Sequence, residues 1–210
     1  MTKIKCCGLR REEDIAFANA LRPEYIGFVF APGSRRFVSP QRAMELKKKL
    51  YSGITSVGVF VDERPETVAE LLNSGLIDMA QLHGKEDDSY IRELRKLTEK
   101  PLIKAWQIGG RQTEEELEEL ASCPADLILL DSGSGGTGET FDWELAKRIR
   151  RPYFLAGGLD PYNVKAAVEL LHPYAVDVSS GIETDRCKDE FKMKEFIHAV
   201  RGVERKADTI

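Results

Sequence analysis

The stretch "IKCCGLR", residues 4–10, sets two of the chain's four cysteines side by side at the end of an apolar run, with Lys5 before them and Gly8 after. A thiol ionises near pH 8.5, so a fixed ammonium beside it favours a thiolate able to accept a proton. A second titratable group, Asp131, ends the apolar run "LILL" and is followed by the glycine-rich segment "SGSGGTG". A base and an acid facing one pocket are the minimum for proton-transfer chemistry at carbon. The adjacent Arg35 and Arg36 are guanidinium groups able to bind an anion by a fork, and Gly157–Gly158 and Ser180–Gly181 leave backbone N–H groups open to close approach. Each feature also has a plainer reading. A strand cysteine is usually a small buried apolar group, a post-strand aspartate a turn cap, a glycine pair a turn, and a loop arginine a solvated charge. Their positions in the fold decide between the readings.

Those positions follow from a pattern that recurs eight times: an apolar strand-like run, a loop with Gly, Ser or Asp, then a segment with helical spacing. The runs are "KIKCC", "YIGFVF", "TSVGVFV", "DMAQLH", "PLIKAWQI", "DLILLD", "PYFLAG" and "YAVDVSS". Helical segments between them include "SPQRAMELKKKL", "PETVAELLNSG", "TEEELEEL" and "DPYNVKAAVELL". Ser39 and Asp160 read as N-caps followed by proline, Thr113 with Glu116 as a capping box, and Gly75 as a helix stop. Strict alternation predicts parallel strands joined by right-handed crossovers, and eight units without a linker predict one (β/α)8 TIM barrel spanning residues 1–210. A doubly wound open sheet needs fewer strands, and "CCGLRREED" lacks the glycine pattern of a dinucleotide turn.

Catalysis in such barrels sits at the C-terminal strand ends, and here those ends are polar and glycine-rich: Cys7–Gly8, "APGSRRFVS", "QLHG", "LLDSGSGGTGETFDW", "LAGGLD" and "DVSSGIE". Side chains alternate along a strand, so Lys5 and Cys7 share a face and Cys6 takes the other. With Cys7 at the barrel mouth, Lys5 points into the barrel and Cys6 toward the helices. The buried ammonium then needs an anion, either Asp131 or Asp177, and it biases Cys7 toward thiolate. Gly135, Gly136 and Gly138 suit a closing lid. His83, alone at a strand end, is assigned no chemistry.

A net charge of −4 and a pI near 5.6 give no electrostatic reason to expect nucleic acid or an anionic membrane as partner. No apolar run approaches the ~18 residues of a membrane span, and the start "MTKIKCCGLR" lacks a leader pattern, which predicts a cytoplasmic protein. The cysteines show no CxxC spacing and the three histidines are scattered, so neither a disulfide framework nor a metal site is expected.

In order along the chain, "K-x-C-G-L" from Lys5, "S-x-R-x-V" from Ser34, "QLHG", "LLDS" with "GGTG" and "TFDW", "LAGGL" and "DVSSGIE" resemble phosphoribosylanthranilate isomerase, over Lys5 to Glu183. The resemblance implies an Amadori rearrangement of a phosphorylated aminoaldose in tryptophan biosynthesis, without metal or cofactor, by a monomer or a homodimer. It implies Cys7 as base and Asp131 as acid, Arg36 as clamp for the anthranilate carboxylate, and Gly157, Gly158, Ser180 and Gly181 around the phosphate. Gln81 is expected to hydrogen-bond substrate or a neighbouring group. Arg35 stands where the family commonly has proline, and "TDRCKD" departs from the usual glycine-containing version, so the correspondence stops at Glu183. Rival readings are the related histidine-pathway isomerase, which uses an aspartate pair and would lack Cys7, an indole-forming synthase, which lacks the "KCCGL" start, and a silent phosphate-binding barrel.

Overall fold

The structure is a computed structural model that describes residues 1–108, 113–131, 146 and 148–207. Its strands are β1 (Lys3–Cys7), β2 (Tyr25–Val29), β3 (Thr55–Phe60), β4 (Met79–Leu82), β5 (Leu102–Gln107), β6 (Leu127–Asp131), β7 (Tyr153–Ala156) and β8 (Ala175–Val178). These eight pair in parallel in chain order, and β8 returns to β1 to close the predicted barrel. Barrel strands are covered on both faces, so they read as continuous apolar runs; all five residues of β2 are buried.

The described helices are α1 (Glu12–Leu21), α2 (Pro40–Lys49), α3 (Pro65–Asn73), α4 (Asp88–Leu97), α5 (Glu114–Ser122), α6 (Val164–Leu171) and α7 (Glu190–Ala207). Ser39 caps α2 by accepting from the Arg42 amide at 3.2 Å, with Pro40 in the first turn. Thr113 and Glu116 form the capping box of α5. Gly75 takes the left-handed conformation just beyond α3 (φ +75°). Asp160 is a correction: its carboxylate accepts from the amides of Tyr162 and Asn163, capping a turn, and α6 begins only at Val164. After β8 come a three-residue 3-10 turn, Ser180–Ile182, and an antiparallel pair, β9 (Glu183–Thr184) and β10 (Cys187–Lys188), which sequence periodicity did not reveal.

Two apolar regions result. Helices and outward strand residues, Cys6 among them, form the larger core, while Tyr25, Val57, Met79, Ile103, Leu129 and Phe154 fill the barrel interior. Above this interior layer lies a polar one. Lys5, fully buried, donates to Asp177 Oδ2 at 2.9 Å and to Gln81 Oε1 at 2.8 Å. Its partner is therefore Asp177, its direct neighbour in the β1–β8 register, and not Asp131.

Breaking a buried ion pair leaves an uncompensated charge, whereas removing both partners does not. Lys5→Met is expected to destabilise the fold by about 3–5 kcal/mol, and Lys5→Met with Asp177→Leu to recover most of that loss in urea unfolding midpoints. Equal destabilisation of single and double variants would show that the pair is not what the barrel interior requires.

Candidate active site

A cavity of about 290 Å³ opens at the C-terminal strand ends, and its lining gathers Cys7, Arg36, Gln81, Asp131, Gly157, Gly158 and Ser180 of the residues expected from sequence. His83 and Asp177 join them. Gly181 does not line the cavity. A Cβ there would stand 2.0 Å from the Leu159 carbonyl oxygen, so this glycine lets the loop after β8 pack against the loop after β7. Gly135, Gly136 and Gly138, the expected lid, lie outside the described residues.

Cys7 ends β1 opposite Gly27 of β2 in the parallel register. A Cβ on Gly27 would come within 2.6 Å of Cys7 Sγ, so the thiol occupies the space that glycine leaves open. Burial pushes the Cys7 thiol above its ordinary pKa; the charge of Lys5 opposes this, Asp177 reinforces it and Lys188 opposes it. The expected bias toward thiolate is thus present as a local interaction but outweighed by burial, and the resting thiol is protonated at neutral pH. Burial also opposes the charge on Lys5, yet Asp177 and Cys7 prevail and hold its pKa above the usual value. Cys6, facing the helices, is pushed up to about 12 by burial.

The loop after β2 doubles back on its own strand. Val38 donates its amide to the Val29 carbonyl at 2.9 Å, and Ser34 Oγ accepts from the Arg36 amide at 3.1 Å. The Arg36 stem passes over Gly8, whose missing side chain is required: a Cβ would lie 2.4 Å from Arg36 Cδ. The guanidinium is held by Glu183, donating from Nε at 2.6 Å and from one terminal nitrogen at 2.9 Å. This side-on pairing leaves the end-on edge of the fork for a second carboxylate. Glu183 also accepts from Lys188 at 2.8 Å and from Arg35 at 3.0 Å. Burial works against its charge, but Arg36 and Lys188 hold its pKa down at about 2. Arg35, half exposed, does not line the cavity. Lys188, just beyond the point where the resemblance stops, is buried and also donates to the Ser179 carbonyl at 2.8 Å.

Asp131 ends β6, three places around the barrel from β1 through β8 and β7. Its Oδ2 lies 3.3 Å from His83 Nε2, and His83 Nδ1 lies 2.7 Å from Gln81 Nε2. The amide of Gln81 is thus turned to Lys5 at one end and to His83 at the other. Asp177 carries a buried Oδ1 that has no hydrogen-bond partner among the described residues, an acceptor at the cavity wall.

At the far end, Gly157 and Gly158 both have positive φ, +88° and +64°, which an L side chain would strain. Nothing lies within 4 Å of a Cβ on Gly158, so that face of the turn is open. Together with the turn at Ser180 it forms the backbone-lined end after β7 and β8 where such barrels hold phosphate.

A larger cavity, about 760 Å³, lies between the ends of β3–β5 and helices α4 and α5. Its ionic pair is closed on itself: buried Lys104 donates to Glu86 at 3.1 Å and to the Gly84 carbonyl at 2.7 Å. Among the described residues, Cys7, Asp131, Arg36 and the Gly157–Gly158 turn line the smaller cavity and not the larger. Among the described residues no group of His, Cys, Asp and Glu is arranged to hold a metal ion, and no helix is long and apolar enough to cross a membrane.

The protonated state of Cys7 is directly measurable. In a Cys187→Ser background, which removes the partly exposed thiol, alkylation of Cys7 by iodoacetamide is expected to accelerate about tenfold per pH unit and to level off only above the ordinary thiol value of about 8.5. Cys6 should stay unmodified in the native protein. Levelling below pH 8 would mean that Lys5 and Lys188 overcome burial.

Known proteins of one family are similar to the chain over nearly its whole length. The family model for N-(5'-phosphoribosyl)anthranilate (PRA) isomerase matches residues 4–199. The N-(5'-phosphoribosyl)anthranilate isomerase of Acetivibrio thermocellus is 47% identical over 212 aligned residues, covering 96% of this chain and 96% of the relative. Among solved structures, the phosphoribosyl anthranilate isomerase of Thermotoga maritima superposes with a TM-score of 0.85 at 36% identity, over 96% of this chain and all of that one. Another structure of that protein describes it as dimeric. A further phosphoribosyl anthranilate isomerase, in complex with reduced 1-(o-carboxyphenylamino)-1-deoxyribulose 5-phosphate, has a TM-score of 0.82 at 34% identity, over 96% of this chain and all of that one. With the match spanning nearly its whole length, the chain belongs to the N-(5'-phosphoribosyl)anthranilate isomerase family.

Proposed function

We propose that Cys7 and Asp131 carry the family's reaction as base and acid, within a single catalytic barrel formed by residues 1–210. Isomerisation of N-(5'-phosphoribosyl)anthranilate in tryptophan biosynthesis follows from family membership. The assignment of roles rests on one observation: a thiol and a carboxylate line a single cavity between a guanidinium and a glycine-lined turn. Four unpaired cysteines suit a reducing cytoplasm.

The chemistry then runs as follows. Asp131 gives a proton to the ribose ring oxygen as the C1'–O bond breaks, and the anthranilate nitrogen lone pair forms the C1'=N bond of a cationic Schiff base. Cys7, as thiolate, takes the C2' proton, and the C–H electrons form C1'=C2' while the nitrogen regains its pair. Loss of the proton on the C2' oxygen and gain of one at C1' complete the aminoketose. The high pKa of Cys7 makes its thiolate a strong base that is sparsely populated, and Lys5 and Lys188 are the cations that favour its formation.

Binding divides by chemistry. The end-on edge of Arg36 takes the anthranilate carboxylate, as Glu183 already fixes the opposite edge. Gly157, Gly158, Ser180 and the tight packing at Gly181 shape the phosphate end, and Gln81, almost fully buried in the cavity wall, orders the groups around it. The ligand of the solved relative carries both a carboxylate and a phosphate, which is the pair of anions these two ends would accept.

Cys7→Ala and Asp131→Asn are each expected to lower kcat at least about 10²-fold with KM near wild type. A substrate analogue that opens its ring unaided should restore part of the rate to Asp131→Asn and none to Cys7→Ala. Rescue of the cysteine variant alone would exchange the roles.

The arginines are separable. Arg36→Met should raise KM roughly 10- to 100-fold, the worth of a charged hydrogen-bonded fork, while competitive inhibition by inorganic phosphate stays unchanged. Arg35→Met, removing an exposed ion pair, should shift KM less than about threefold. A larger effect at Arg35 would move the clamp.

A further inference from the structure

The donor order along the polar layer is fixed by its first member. An ammonium only donates, so the oxygen of Gln81 must face Lys5, 2.8 Å away. The amide nitrogen of Gln81 therefore faces His83 Nδ1 at 2.7 Å, and since that nitrogen donates, Nδ1 must carry the lone pair. Neutral His83 is left with its proton on Nε2, a nitrogen that lies 3.3 Å from Asp131 Oδ2 without being aligned on it as a formed hydrogen bond. Gln81 is only 1% exposed, so water does not compete for either end of its amide.

From this geometry we infer that Lys5 and Gln81 lock His83 as the Nε2–H tautomer, and that His83 is a positioning residue whose Nε2–H, 3.3 Å from Asp131 Oδ2, comes into line with that oxygen when substrate is bound. The inference rests on the reading of Asp131 as the acid. With Oδ2 kept as the acceptor, the transferable proton sits on Oδ1. When that proton passes to the ring oxygen, the carboxylate left behind has a donor 3.3 Å away that needs only to come into line with it. Asp131 is thus tied, through His83, Gln81 and Lys5, to the strand that carries Cys7, and acid and base share one rigid frame. The role is one of placement and proton order; His83 itself exchanges no proton with the substrate.

Nitrogen-15 NMR of histidine-labelled protein reads the tautomer without reference to activity. Wild-type His83 is expected to show a protonated Nε2 and an unprotonated Nδ1 at neutral pH, and Gln81→Leu to collapse this into a mixture of tautomers. A protonated Nδ1 in the wild type would overturn the lock. Kinetics then reads the placement. His83→Leu should lose roughly 10- to 100-fold in kcat with KM nearly unchanged, the worth of one hydrogen bond to a charged group. His83→Gln, whose amide nitrogen reaches the position of Nε2, should recover most of that loss. Equal kcat in the leucine and glutamine variants, or a leucine variant as active as wild type, would overturn the positioning role. Full activity in Asp131→Asn would instead defeat the reading of Asp131 as the acid, while leaving the tautomer result standing.

Discussion

An ammonium with no access to solvent must be surrounded by acceptors, and at Lys5 this requirement organises the site. Its three donors find Asp177 on β8 and Gln81 on β4, with the Cys7 thiol beside it on its own strand. The desolvation of such a charge is worth several kcal/mol, so these partners cannot be given up individually. The demand reaches strands that are not neighbours in the sheet, because Gln81 lies across the barrel from β1. One buried charge thereby closes the polar layer between the apolar interior and the cavity, and orders the groups that face the substrate.

Arg36 is governed by the same electrostatics in a wetter setting. A guanidinium at a cavity wall loses hydration, and Glu183 compensates it from one edge while Lys188 and Arg35 share the carboxylate. The clamp is thus oriented before any ligand arrives, which lowers the entropy lost on binding. The opposite end carries no such charge: at Gly157 and Gly158 it relies on positive φ and on the absence of side chains. A dianionic ligand held by a guanidinium at one end and by backbone at the other is fixed in direction as well as in place.

The barrel and half of its polar machinery were legible in the sequence because they arise from local rules. Apolar runs bounded by glycine and aspartate mark strands; Ser39 and Thr113 cap through bonds to residues three further on; alternation separates Cys7 from Cys6. Asp160 was read three residues early because its carboxylate serves a turn equally well. The choice of Asp177 over Asp131 as partner of Lys5 depends on the β1–β8 register, which joins residues 172 apart and leaves no local trace. The pairing of Glu183 with Arg36 spans 147 residues and was equally hidden. Gly27 did carry a signal, a glycine inside a strand, which implies close approach by something; here that something is the Cys7 sulfur. The bias from Lys5 is present, but the net direction of the thiol's pKa was not legible: a neighbouring lysine is visible in sequence, whereas burial belongs to the whole fold.

That last point bears on why a thiol occupies the end of β1. Around the cavity stand three cations, Lys5, Lys188 and Arg36, against Asp177 and Glu183, with Asp131 as the third carboxylate. A ligand with a carboxylate and a phosphate adds further negative charge. Added negative charge favours the protonated form of Asp131, as the acid role proposed for it requires, and disfavours any second anion at Cys7. A base in this environment has to remain neutral at rest and still be strong when ionised. A carboxylate would stay ionised near pH 4 and be a weak base toward carbon, whereas a thiol whose pKa is raised by burial is neutral at rest and strongly basic once deprotonated. The ammonium beneath it then has a defined task. Lys5 cannot keep Cys7 ionised, but in the proposed mechanism it would stabilise the thiolate as it abstracts the proton, from inside a frame too dry for water to screen it.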